Sequence, residues 1–206
     1  MIKSKRPTFI ECVEKITGSV FSKMPVTPNQ WTLLSLVLAV TGFAFSAVYK
    51  DLGKSLALFF AAFAIDYVDG AVARYTRKTT RKGAYIDGVS DRFVEAFIMV
   101  GLMFYELPNV LLDSKIALAV LLFLSTMTSY TRAYADHKKI VTGADKLRSM
   151  GGLLERFERV SILLISVAIS FYYGTWVISY VVLSLILLSF VTVMQRILYS
   201  VKEAGR

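Results

Sequence analysis

Four aspartates stand close together in a strongly apolar chain: Asp66, Asp69, Asp87 and Asp91, flanked by apolar runs long enough to cross a bilayer. Ionised groups near membrane depth are costly and tend to mark functional sites. Because residues three and four apart share one face of a helix, the aspartates form two stripes on two successive helices. Carboxylates that converge from two helices suit a pair of Mg²⁺ or Mn²⁺ ions, which catalyse displacement at phosphorus. We therefore expect divalent ions and a phosphate-bearing substrate among these acids.

Small residues and a cation accompany the acids. Gly70, Ala73 and Gly83 have almost no side chain, so a bulky ligand could approach the backbone there. Arg74 could neutralise a phosphate through charge-assisted hydrogen bonds. Two alternatives stay open: the small residues only allow close packing of helices in lipid, and the acids pair with basic residues of the intervening loop.

The elements that must position these residues are membrane helices. Of 206 residues, 55% are hydrophobic and the mean hydropathy is +0.57, which argues against a soluble domain. The single cysteine, Cys12, excludes a disulfide framework within one chain. We predict an all-α integral membrane protein with one domain over residues 1–206. Six transmembrane helices are expected within 28–200, at about 31–49, 55–73, 83–105, 115–135, 153–173 and 176–198.

The first 25 residues have a different pattern. Apolar residues recur at helical spacing between Thr8 and Met24, with charged residues among them. This predicts an amphipathic helix that lies in the membrane surface, and an ordinary solvated helix is the alternative. Thr27 and Pro28 then provide a helix cap and a first turn for the first transmembrane helix.

The basic residues predict the orientation of the chain. Lys and Arg outnumber Asp and Glu by 24 to 15, which in a membrane protein indicates cytoplasmic loops and anionic lipids, not nucleic acid. The loops on one side hold only Lys50, Lys54 and Lys115, whereas nearly all other Lys and Arg lie on the opposite side. The positive-inside rule therefore places both termini and the aspartates at the cytoplasmic face of the cell membrane.

The full pattern, Asp66-x2-Asp69-Gly70-x2-Ala73-Arg74-x8-Gly83-x3-Asp87-x3-Asp91, resembles the complete signature of the CDP-alcohol phosphotransferase family. The resemblance implies a six-helix membrane homodimer. It also implies transfer of a phosphoalcohol from a CDP-activated donor to a hydroxyl acceptor, with release of CMP.

The same resemblance implies a role for each residue of the signature. Two metal ions occupy the active site. Asp66, Asp69 and Asp87 hold one, while Asp66, Asp87 and Asp91 surround the second. Asp91 is the general base for the acceptor hydroxyl. The residues implied to bind CDP are Asp66, Gly70, Ala73, Arg74 and Gly83.

Four arginines near the cytoplasmic ends of the later helices could receive a second phosphate: Arg132, Arg156, Arg159 and Arg196. Anchoring by the positive-inside rule is the alternative. Residues 129–136 and 152–159 resemble the subgroup that uses inositol 1-phosphate, namely the phosphatidylinositol-phosphate and archaetidylinositol-phosphate synthases. In that subgroup, basic residues that bind the inositol phosphate occupy the positions of Arg132, Arg156 and Arg196. The subgroup usually has a further basic residue at the position of Tyr134, and this sequence differs there.

These features lead to a functional hypothesis. The large bilayer-buried surface favours a lipid-linked donor, CDP-diacylglycerol or CDP-archaeol, and we expect inositol 1-phosphate as the polyol-phosphate acceptor. Glycerol 3-phosphate and serine are alternative acceptors. A cation transporter is the alternative from another class, but transporters place their acids near the membrane midplane on broken helices. The aspartates here are expected at the ends of helices, beside a basic loop.

Overall fold

The structure is a computed structural model that describes residues 8–76 and 80–205. Within these residues it contains α-helices and no β-strand, so the all-α prediction is confirmed. A π-helical turn, Phe45–Tyr49, continues the second helix. The helices are α1 Thr8–Phe21, α2 Pro28–Ala44, α3 Leu52–Tyr75, α4 Arg81–Leu102, α5 Ser114–His137, α6 Ala144–Ser149, α7 Arg156–Tyr173 and α8 Trp176–Ala204.

The segment before α7 differs from the prediction. The sequence predicted a polar loop at 136–152 and a helix from 153, whereas α6 lies inside that loop and α7 begins at Arg156. A six-residue helix is too short to show an amphipathic period. The later start of α7 follows from its cap, in which the backbone N–H of Glu155 donates to Glu158 Oε2 at 2.6 Å.

Four helical segments of the described chain are long and apolar enough to cross a membrane. They are Pro28–Tyr49, Leu52–Tyr75, Ser114–His137 and Trp176–Ala204. α4 and α7 carry more charge, because α4 includes Asp87, Asp91 and Glu95 and the first turn of α7 includes Arg156 and Arg159. The count of six transmembrane helices and the interfacial position of α1 therefore stay predictions.

The helices group into two compact units, one up to Ile98 and one from Met99 onward, while the prediction of a single domain stays untested. In the first unit α3 packs against both α1 and α2. The buried side chains of Trp31, Val68 and Val72 form a small core there. Phe21 of α1 meets the Trp31 ring edge to face, with the ring centroids 5.7 Å apart. These contacts fix the end of α3 that carries the first two aspartates.

The packing of α1 on α3 depends on a glycine. A Cβ atom on Gly18 would lie 2.6 Å from Tyr75 Cβ and 2.9 Å from the Ala71 carbonyl oxygen. Gly18→Ala should therefore force the helices apart and destabilise the protein by about 1–3 kcal/mol. Thermal unfolding of the detergent-purified protein measures this as a lower midpoint.

Gly88→Ala is the matched control for that change. Gly88 lies in α4, and a Cβ atom there would meet none of the described atoms within 4 Å. Alanine is favoured over glycine within a helix by about 1 kcal/mol, so this variant should be neutral or more stable. Equal midpoints for the two variants would contradict the close approach of α1 and α3.

In the second unit α8 packs against α5 and α7. An ion pair and a hydrogen bond connect α6 to the last turns of α8. Lys146 Nζ lies 3.4 Å from Glu203 Oε2, and the hydroxyls of Ser149 and Tyr199 are 2.8 Å apart. The segment between α5 and α7 is thus held against the protein, although its composition is that of a solvated loop.

Candidate metal centre and substrate cleft

Three of the predicted metal ligands meet at one point. Asp66 and Asp69 on α3 and Asp87 on α4 each offer a carboxylate oxygen, and these oxygens lie within 4.8 Å of one another. Asp69 is 3% exposed, and the other two side chains are half-buried. Three converging carboxylates can share one divalent cation, and a set of oxygen ligands suits Mg²⁺ or Mn²⁺. The residues present therefore fit the metal that the sequence predicted.

Asp91 lies one helical turn beyond Asp87 on α4, outside this group of three. Arg92 Nη2 is 3.8 Å from Asp91 Oδ2, and Arg92 Nη1 donates to Glu95 Oε2 at 3.2 Å. Glu95 is only 1% exposed, so its carboxylate anchors the guanidinium beside Asp91. Neither Arg92 nor Glu95 was predicted from the sequence. The available signal was spacing, because Glu95 continues the four-residue steps of Gly83, Asp87 and Asp91.

Thr32 on α2 also contacts this cluster of aspartates, through Asp69. Its hydroxyl donates to Asp69 Oδ2 at 2.5 Å, and both residues are buried. This residue, too, was not predicted from the sequence. A threonine in an apolar helix is common, and nothing in the local pattern indicates a partner 37 residues away.

A cleft with a cavity volume of about 200 Å³ adjoins the carboxylates. Asp69 and Asp87 lie in its wall, so the metal ligands and the cleft share one surface. Four of the five residues predicted to bind CDP line it, whereas Asp66 is not among the described lining residues. The lining residues are Pro28, Asn29, Thr32, Asp69, Gly70, Ala73, Arg74, Thr80, Gly83, Ala84 and Asp87.

The two glycines of the cleft are close to polar groups. A Cβ atom on Gly70 would lie 3.2 Å from Arg74 Nη1, so the guanidinium packs over the Gly70 backbone. A Cβ atom on Gly83 would lie 3.0 Å from Thr80 Oγ1 and 3.3 Å from Asn29 Oδ1. The Gly83 N–H itself donates to Thr80 Oγ1 at 3.0 Å. A larger side chain at either glycine would displace these groups and narrow the cleft.

The four arginines predicted to bind the acceptor lie in the second unit and divide into two pairs. Arg159 is fully buried and donates from Nη2 to Ser125 Oγ at 2.8 Å. Arg196 is 6% exposed and donates to two backbone carbonyls, Gly151 O at 3.0 Å and Thr128 O. Arg132 and Arg156 are half-buried, near the end of α5 and at the first residue of α7.

Long apolar helices, a group of converging carboxylates and an adjoining cleft are the features expected of a metal-dependent membrane enzyme. The sequence matches the family model of the CDP-alcohol phosphatidyltransferases over residues 25–197, and the chain belongs to this family. It is therefore a transferase of phospholipid synthesis whose family uses a divalent metal, a CDP-lipid donor and an alcohol acceptor. Membership in an enzyme family decides against the transporter alternative.

Two relatives align with most of the chain. The sequence is 28% identical to an archaetidylinositol phosphate synthase of Pyrococcus horikoshii over 203 residues, which cover 98% of this chain and 97% of that protein. It is 32% identical to a phosphatidylinositol phosphate synthase of Mycolicibacterium smegmatis over 180 residues, which cover 84% of this chain and 76% of that protein. These similarities extend well beyond the signature itself.

The fold is similar to crystal structures of the Mycobacterium tuberculosis phosphatidylinositol phosphate synthase PgsA1. The form in complex with manganese and citrate aligns with a TM-score of 0.72 at 25% identity, covering 91% of this chain and 88% of that one. The form with CDP-DAG bound aligns with a TM-score of 0.73 at 24% identity, covering 91% and 93%. The helices of the present chain thus follow the fold of a membrane enzyme.

Proposed function

We propose that the protein transfers the phosphatidyl-type group of a CDP-lipid, CDP-diacylglycerol or CDP-archaeol, to a hydroxyl of inositol 1-phosphate and releases CMP. The observation that carries this proposal is the convergence of Asp66, Asp69 and Asp87, the last two of which line a cleft that also contains Arg74. The choice of acceptor is supported by the similarity to two synthases of inositol-containing phospholipids. Glycerol 3-phosphate and serine are the acceptors to compare with it.

The aspartates are proposed to hold two ions of Mg²⁺ or Mn²⁺. Asp66, Asp69 and Asp87 would hold one ion, and Asp66, Asp87 and Asp91 would surround the second. When bound, such ions neutralise phosphate charge and acidify a nearby hydroxyl. The spacing of the first three carboxylate oxygens supports the first ion, and the helical repeat of α4 supports the second.

The cleft is proposed to hold the CDP part of the donor, with Asp66 at its edge. Arg74 would contact the diphosphate, since a guanidinium forms paired hydrogen bonds with phosphate oxygens. Gly70, Ala73 and Gly83 would allow the nucleotide to approach the backbone. Their lack of side-chain bulk is what keeps the observed cleft open.

Asp91 is proposed to accept the proton of the acceptor hydroxyl. The hydroxyl oxygen forms a bond to the lipid-bearing phosphorus, and the bond from that phosphorus to the bridging oxygen breaks. CMP leaves with the electron pair, and the proton passes from Asp91 to solvent. Arg92, anchored by Glu95, would hold the Asp91 carboxylate in position for this step.

The acceptor phosphate is proposed to bind Arg132, Arg156 and Arg196. Arg156 has the strongest structural support, because it is half-buried and opens a helix whose N-terminus attracts anions. Arg196 donates to two backbone carbonyls and is proposed to contact the acceptor phosphate as well. Arg159, predicted to share this role, is fully buried and donates to Ser125 on α5, so its part in binding the acceptor stays a prediction.

The membrane arrangement is part of the proposal: six transmembrane helices, with the active site and both termini at the cytoplasmic face, in a homodimer. The charges of α7 lie in its first turn, which leaves an apolar stretch to cross the bilayer, whereas those of α4 extend from Arg81 to Glu95. In α1 and the turn after it, the apolar side chains of Ile16, Val20 and Met24 are 59%, 53% and 46% exposed, as expected for a segment in the membrane surface.

One assay tests the reaction. Purified protein receives CDP-diacylglycerol or CDP-archaeol, Mg²⁺ or Mn²⁺, and one acceptor at a time, and CMP release is measured. We expect release with inositol 1-phosphate and much less with glycerol 3-phosphate or serine. A preference for another acceptor would overturn the proposed substrate, and no CMP with any acceptor would count against the reaction itself.

Arg156→Ala should raise the KM for inositol 1-phosphate by about 10–100-fold and leave the KM for CDP-lipid nearly unchanged. A hydrogen bond to a charged group contributes about 1.5–3 kcal/mol, and 1.4 kcal/mol corresponds to a factor of about ten. Lys138→Ala is the control, because this exposed lysine lies over the Tyr134 ring and has no proposed contact with substrate. An equal rise in both KM values would argue against a pocket for the acceptor phosphate.

A further inference from the structure

One buried hydrogen bond connects the start of α2 to the cluster formed by Asp66, Asp69 and Asp87. Thr32 Oγ1 lies 2.5 Å from Asp69 Oδ2 and 3.1 Å from the Pro28 carbonyl oxygen. A hydroxyl has one proton, and the shorter contact is to the charged acceptor, so the proton points at Asp69. Thr32 and Asp69 are 4% and 3% exposed, which leaves little room for water to replace this donor.

The direction of this hydrogen bond determines how Asp69 is presented to its neighbours. A carboxylate can rotate about its last bond, and a donor held on one oxygen fixes the plane of both oxygens. Asp69 offers one oxygen to the group that it forms with Asp66 and Asp87. A carboxylate that is already oriented loses less freedom when it takes up a cation.

We infer that Thr32 is a positioning residue for the metal site: its hydroxyl holds Asp69 in the orientation that binds the divalent cation. This inference rests on the proposed metal-dependent function. It adds to the metal site a residue of α2, which lies outside the segment 66–91 that contains the four aspartates. Thr32 contacts Asp69, which is a proposed metal ligand, and does not contact the reacting atoms. It also lines the cleft. The first turns of α2 thereby become part of the site.

Binding of Mn²⁺ alone to the detergent-purified protein, followed by the EPR signal of free Mn²⁺, tests this inference. Thr32→Val keeps the shape and removes the donor. Loss of a hydrogen bond to a metal ligand weakens metal affinity by about 10–100-fold, and we expect a rise of that size in the Mn²⁺ Kd. Thr41→Val is the matched control, since the Thr41 hydroxyl on the same helix donates at 2.8 Å to the Val37 carbonyl, away from the acids.

A second pair of variants separates the hydroxyl from packing. Thr32→Ser and Thr32→Ala have lost the same methyl group and differ only in the hydroxyl, so serine should restore Mn²⁺ affinity and alanine should not. Wild-type affinity in Thr32→Val, or equal affinities for serine and alanine, would overturn the inference while leaving the proposed function intact. Failure of the wild-type protein to bind Mn²⁺ would instead contradict the metal-dependent function.

Discussion

Asp91→Asn should abolish CMP release while CDP-lipid binding stays largely intact. Asparagine has nearly the same shape but cannot accept the proton of the acceptor hydroxyl. General-base catalysis contributes about 10²–10⁴-fold to a rate, and the second metal site would be weakened as well. Asp91 lies outside the group formed by the other three aspartates and is not among the described residues that line the cleft, so donor affinity should change little.

The measurement pairs CMP release with equilibrium binding of CDP-lipid to the same preparation. Asp136→Asn is the control, since it removes an exposed aspartate near the end of α5. This control should retain wild-type turnover. Turnover that survives in Asp91→Asn would remove Asp91 as the base and direct attention to another proton acceptor.

Asp66→Asn should abolish turnover through loss of metal. In the proposed arrangement this carboxylate contacts both ions, so its replacement weakens both sites. Removal of a direct ligand should exceed the loss of about 10–100-fold that follows removal of a hydrogen-bonding partner of a ligand. The Mn²⁺ Kd measured by EPR should therefore rise more in Asp66→Asn than in Thr32→Val.

Asp136→Asn serves as the control here too, because it changes the charge of the protein equally and far along the chain from the carboxylate group. If Asp66→Asn bound Mn²⁺ like the wild-type protein, the proposed ligand set would be wrong. Turnover lost with Mn²⁺ affinity unchanged would point to a direct contact between Asp66 and the donor.

Much of the fold could be predicted from the apolar runs. α2, α3 and α5 begin within a few residues of their predicted starts, and in the structure Thr27, Asp51 and Asp113 are the N-cap residues before them. α6 and the start of α7 could not be predicted. Gly151 and Gly152 adopt positive φ angles of 64° and 147° there, and the turn they form is fixed by contacts with α8.

The arginines show where prediction from residue type ends. Arg156 and Arg159 occupy one turn of α7, yet one is half-buried and the other has no exposed surface. Helical spacing predicts which residues share a side of a helix, but not what covers that side. The depth of Arg159 depends on α5, which supplies Ser125 from 34 residues away.

The sequence by itself determined the aspartate motif, the family and the class of reaction. Within a helix the repeat of about 3.6 residues fixes which side chains lie together, so spacing alone pairs Asp66 with Asp69 and Asp87 with Asp91. Only the tertiary structure decided that Thr32 holds Asp69, since this contact joins residues 37 apart. Such contacts depend on how whole helices pack, which no local spacing encodes.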